Sequence, residues 1–189
     1  MKATGTLVLA AVLAAVCTAC GSQPTTPTAA HGSTNHTKAT ASPASGGTTR
    51  QVPACSTADL KLSLGRPDGA AGSTYVTVVL TNVSGRTCTT GGFGGVSYVG
   101  GGDGTQVGAP ASRQGNPAKL RLAPGKRAVA VLQEVEAGNY DSTTCRPVKV
   151  DGLRVYPPNQ TASLYVAQAG TGCRSTKVKL LTIRPYKLG

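Results

Sequence analysis

Ser73 to Asn82 reads STYVTVVLTN, ten residues of mostly β-branched side chains with a period of two. That period puts successive side chains on opposite faces of a strand. Upstream, Asp59 to Leu64 reads DLKLSL, with Leu60, Leu62 and Leu64 on one face. Between the two lies GRPDGAAG, a turn-rich segment, so LSL and YVTVVL are predicted to form a hairpin. Similar runs follow at Gly95–Val99, Lys119–Leu122, Arg127–Val135, Val148–Tyr156, Ala162–Ala167 and Lys177–Ile183, separated by Gly, Pro, Asn or Asp. A second hairpin is predicted from GLRVY and SLYVA around PPNQ. No segment offers a helix of ten residues or more. About eight short strands at this spacing predict an all-β, Ig-like antiparallel β-sandwich over residues 51–189.

Composition agrees. The 189 residues include 25 Gly and 12 Pro, which favour turns over long helices. There is no Trp and one Phe, so the core must come from Val, Leu, Ile, Ala and some of the Tyr. Four Cys fall in this region: Cys55, Cys88, Cys145 and Cys173. Their wide spacing lacks the close pairs of a zinc site. In the first hairpin, Cys55 and Cys88 lie at the open end, about equally far from the turn. In the second, Cys145 and Cys173 face each other at the base. Two disulfides, Cys55–Cys88 and Cys145–Cys173, are therefore expected. Each closes a loop of about 30 residues, worth about 3 to 4 kcal/mol in the chain-entropy view.

The N-terminal third has a different texture. Lys2 precedes a compact apolar run, Leu7 to Val16. It is too short to span a bilayer and suits the apolar region of a signal peptide. Cys17-Thr18-Ala19-Cys20-Gly21-Ser22 resembles a bacterial lipobox, in which small residues precede a cysteine that carries diacylglycerol and becomes the mature N-terminus. Residues 1–20 are thus expected to be a lipoprotein signal peptide, with Cys20 the lipidated residue. Cys17 departs from the aliphatic residue usual in that pattern. Residues 21–50 are almost all Gly, Ser, Thr, Ala, Pro, Gln and His, with no aromatic or acid. Such a stretch lacks the apolar surface to offset its ordering entropy and is expected to be a disordered linker. About 30 flexible residues reach on the order of 30 Å. His31 and His36 read as part of this tether rather than as metal ligands.

Several motifs then agree in order with a known pattern. TNVSGRTCTTGGFGGVSYVGGGDGTQVGAPASRQ (81–114) is followed by LAPGKRAVAVL (122–132) and CRPVKVDGLRVYPPNQTASLYV (145–166). Together they resemble the DUF4232 family of exported actinobacterial proteins, many of them lipoproteins. The resemblance covers most of Cys55 to Arg184. It implies a β-sandwich, export and paired cysteines, but no activity. Phe93 and the basic pair Lys126-Arg127 depart slightly from the family pattern.

Catalysis finds little support in the residues. Both histidines lie in the linker, which removes Ser-His and Cys-His arrangements from the body. Four oxidised cysteines are not nucleophiles. Glu134 and Glu136 are two apart and expected on one strand face, read as a solvated edge rather than a glycosidase-like carboxylate pair. The run GGFGGVSYVGGGDG lacks the Gly-Lys-Ser/Thr ending of a phosphate loop, and a strand follows it rather than a helix. It reads as turns around GVSYV. No cofactor or metal is expected, and no enzyme.

The unusual surface feature is charge: 19 Lys and Arg against 7 acids, formally +12, with a pI near 9.8. Lys119, Arg121, Lys126 and Arg127 are expected to cluster around one turn. Lys177 and Lys179 alternate with Val178 and Leu180 and are expected to share a solvent face. Few aromatics are available to stack on bases, which argues against nucleic acid. The expected reading is an exported, monomeric, lipid-anchored envelope protein on the outer face of the cell membrane. Its non-catalytic sandwich would bind or brace something through loops such as Gly100–Pro117, with Asp103 and Arg113. The alternatives are an envelope enzyme on a cell-wall polymer, a module binding an anionic envelope polymer or an envelope protein, and a secreted rather than anchored chain.

Overall fold

A computed structural model describes residues 51–189 of the protein. The signal-peptide and linker expectations, with Cys20, His31 and His36, lie outside the described residues. The strands are β1 (Leu60–Leu64), β2 (Asp68–Ala70), β3 (Ser73–Asn82), β4 (Cys88–Gly91), β5 (Gly95–Gly100), β6 (Thr105–Val107) and β7 (Ser112–Arg113). They continue with β8 (Lys119–Leu122), β9 (Arg127–Val135), β10 (Pro147–Tyr156), β11 (Leu164–Cys173), β12 (Leu181–Ile183) and β13 (Lys187–Leu188). The one described α-helix, α1, is a four-residue turn, Ser142–Cys145, capped by Asp141. No described helix is long and apolar enough to cross a membrane.

The larger sheet runs β1-β3-β9-β12-β7, with β2 added to β3 and β13 to β9. The second sheet runs β11-β10-β5-β6, and β4 and β8 form a separate ribbon. The expected β1–β3 hairpin forms, Leu60 opposite Asn82. Its connection folds into a smaller hairpin in which Ala70 pairs with Ser73. The two residues between, Ala71 and Gly72, both have positive φ (41° and 75°), the combination that matches strand twist in a tight turn. The expected β10–β11 hairpin also forms, with a bulge between Val150 and Gly152. Among the described strands the pairings are antiparallel except the two-residue β7–β12 pair, which is parallel, and Ala54 adds an isolated parallel bridge to Thr89.

Alternation builds the core. Val76, Val78 and Leu80 of β3 and Ala128, Ala130 and Leu132 of β9 are buried, as are Val96, Leu153 and Val155 of the facing sheet. Both disulfides are present as expected, Cys55–Cys88 and Cys145–Cys173, and all four cysteines are buried. The described residues hold an apolar core and both covalent links, the requirements of a folding unit.

Three strand expectations shift. Lys177 to Leu180 lies outside the sheets: Val178 and Leu180 are buried and both lysines exposed, but ladder pairing begins only at Leu181. Strand β11 runs on to Cys173, past the Gly-rich stretch where the apolar period fades. Five strands of two to four residues, β2, β4, β6, β7 and β13, are too short and polar to show a period.

Candidate functional site

Three features concentrate chemistry. The first is the β5–β6 hairpin tip, Gly101–Gly104. Asp103 accepts from the Thr105 amide (2.9 Å), and those bonds to Thr105 hold its carboxyl below the usual range. Gly102 N–H donates to Asp151 (2.8 Å). Arg154 donates to Gly104 O and to Gln106 Oε1, with its guanidinium 5.9 Å from the centre of the Tyr156 ring. A hollow of about 520 Å3 lies here, lined by Asp103, Asp151, Arg154 and Tyr165 among others. The hairpin is held by a close approach at Gly108, whose φ is +67° and whose missing Cβ would lie 2.2 Å from Cys173 O. Arg113 is not part of this site. It lies on β7, paired with β12 in the other sheet.

The second feature is the basic group. Lys119, Arg121, Lys126 and Arg127 are all exposed. A turn closed by Lys126 N donating to Ala123 O (3.1 Å) lies between Lys119 and Arg121 on one side and Lys126 and Arg127 on the other, but its two strands do not pair: β8 pairs with β4, placing Lys119 opposite Gly91 and Arg121 opposite Thr89. Arg127 instead opens β9, opposite Thr81, and Thr81 pairs with Lys61. Asn82 joins the two parts, donating to Leu122 O (2.8 Å) from a fully buried side chain.

The third feature departs from the sequence expectation. Glu134 is not on a solvated edge. It continues the inward period of Ala128, Ala130 and Leu132 on β9 and is only 8% exposed. From the facing sheet, Tyr98 Oη donates to Glu134 (3.0 Å) and Gln168 Nε2 donates to both carboxylate oxygens (2.9 and 2.8 Å). Burial raises the Glu134 carboxyl above its ordinary range, opposed by the Gln168 and Tyr98 bonds. Burial first, then the Glu134 charge, pushes the Tyr98 hydroxyl up as well. The cleft here is about 620 Å3 and also reaches Thr74, Glu136 and Thr171. Glu136 itself is exposed at the start of a short 3-10 turn. Period counting alone places Glu134 inward; its partners on β5 and β11 carry no sequence signal.

Among the described residues, no group of three or more His, Cys, Asp or Glu side chains is placed to hold a metal. The arrangement offers hydrogen bonding, charge and one carboxylic acid that retains its proton to higher pH. A family profile described as a domain of unknown function (DUF4232) matches residues 55–187. The chain belongs to this family. The DUF4232 match spans both disulfides, the hairpin tip, the basic group and Glu134. No curated protein and no solved structure matches the chain.

Proposed function

We propose that this DUF4232 protein is an exported, lipid-anchored envelope protein of actinobacterial type, whose sandwich is a non-catalytic binding or structural module on the outer face of the cell membrane. The observation that carries the reading is the pair of buried disulfides, each clasping one hairpin. Such bonds form and persist in oxidising compartments outside the cytoplasm. The leader and lipobox-like residues ending at Cys20 supply the route and the anchor. The body lacks histidine, its cysteines are oxidised, and its buried carboxylate is hydrogen-bonded across the core. These features suit recognition better than turnover.

Mass spectrometry of the mature N-terminus tests the anchor. A diacylglyceryl group on Cys20 is expected, and Cys20→Ser should release the protein into the medium. An unmodified terminus elsewhere, with unchanged membrane association, would defeat the proposal. One observation favours a second reading, an envelope enzyme on a wall polymer: Glu134 is a carboxyl with raised pKa beside an open cleft, which is the setting of a general acid. Wall-polymer turnover abolished by Glu134→Gln would establish that reading over the first.

A further inference from the structure

The described chain begins at a distinct end of the sandwich. Pro53 O accepts from Thr89 N, and Cys55 N donates to Thr89 O. Thr89 pairs with Arg121, and Cys55 is bonded to Cys88, which pairs with Leu122. Leu122 O in turn accepts from Asn82, the last residue of β3. The next row of the large sheet is Lys61–Thr81–Arg127. Thus the N-terminal segment joins the sandwich beside Lys61, Arg121, Lys126 and Arg127, with Lys119 two residues further along β8. All five are exposed. The carboxylate of this region, Asp59, is already matched by Arg86 at 2.7 Å. Glu134 lies seven residues along β9 from Arg127, about 23 Å away.

We propose that this end is a docking surface for anionic phospholipid headgroups, holding the sandwich against the membrane by its base. The choice of phospholipid over other polyanions rests on the lipid-anchored reading. If residues 21–50 act as the tether their composition predicts, of roughly 30 Å reach, a chain anchored through this end brings these five cations to the headgroups first. Each cation near an anionic leaflet adds about fivefold in affinity at low salt. The attraction fades beyond the Debye length of about 10 Å, so cations at the opposite end contribute little in this orientation.

The test uses residues 21–189, without leader or lipid, co-sedimented with phospholipid vesicles. The expected result is capture by vesicles containing phosphatidylglycerol, weak capture by pure phosphatidylcholine, and loss of capture as salt rises from about 50 to about 500 mM. The triple variant Lys61→Glu, Lys126→Glu, Arg127→Glu should bind at least about tenfold more weakly. Arg146→Glu, Lys177→Glu, Lys179→Glu makes the same charge change elsewhere and should retain capture. Thermal unfolding of both triples checks that each is folded, and the wild-type salt series stands without either. Equal losses in the two triples, no capture of the wild type at low salt, or capture by a soluble polyphosphate but not by vesicles would each overturn the proposal. Because the tested chain carries no lipid, an unmodified Cys20 in the anchor experiment would sink that reading alone.

Discussion

Glu134 is a carboxylate set among apolar strands, satisfied by two neutral donors from the opposite sheet. Its charge has no cationic partner among its hydrogen bonds, so burial favours the protonated form. The native state therefore binds this proton more tightly than the unfolded chain does. The stabilisation is complete below the ordinary glutamate value near 4.5 and is lost as pH rises through the higher native value. Asp59, Asp103 and Asp141 are shifted the other way, and their contributions fall away only below the ordinary aspartate range. Urea unfolding at pH values above the aspartate window isolates Glu134. Wild-type stability should decline as pH rises above 4.5, and Glu134→Gln should flatten that decline. Parallel profiles for the two proteins would refute the assignment. Glu134→Ala should cost about 1 to 3 kcal/mol, because the hydroxyl of Tyr98 and the amide of Gln168 lose their acceptor. Tyr186 presents the reverse case. It is 2% exposed and its hydroxyl has no hydrogen-bond partner. Removing that oxygen in Tyr186→Phe should be neutral or raise stability by up to about 1 kcal/mol in the same assay. A clear loss would mean that the hydroxyl is bonded.

At the scale of elements, the disulfides close hairpins whose strands already pair, with sequence separations of 33 and 28. The four cysteines are at most 2% exposed, so reductant reaches the sulfurs only through opening of the fold. Alkylation after mild reduction in native buffer should label none of them, and the same treatment in urea should label all four. Removing either pair as Ser should cost about 3 to 4 kcal/mol by urea unfolding, nearly equally, since the loop term grows only with the logarithm of length. Labelling of one pair in native buffer would show that its hairpin base opens independently. These links were legible in sequence because β1 with β3 and β10 with β11 read as two hairpins, and the cysteines sit symmetrically about their two turns. The minor strands were not. β4 reads CTTG and β6 reads TQV, and such segments pair because a neighbouring strand offers an edge, not because of any pattern of their own. Lys177 to Leu180 shows the converse, an alternating burial pattern obtained without ladder pairing.

For the whole molecule, the separate sites were legible in different degrees. The basic residues could be counted, but their division between a ribbon and a sheet, joined through Asn82, depends on contacts that span the chain. Lys61 enters the group only through its row with Thr81 and Arg127. The same contacts fix where the folding unit starts. The segment Gln51–Cys55 is held by two backbone bonds to Thr89 and one disulfide, whereas the core draws on residues from Cys55 onward. If residues 21–50 are the tether their composition predicts, a chain beginning at Gln51 should unfold within about 0.5 kcal/mol of one beginning at Gly21. Beginning instead at Ser56 deletes Cys55 and both Thr89 bonds, and should cost about 3 kcal/mol or more. Thermal and urea unfolding of the three lengths separate the cases. If deleting residues 21–50 lowered stability by more than about 1 kcal/mol, the linker would be part of the fold rather than a tether. The sandwich would then lose the freedom to settle on its basic end, because a packed linker fixes an orientation that a flexible one leaves to charge.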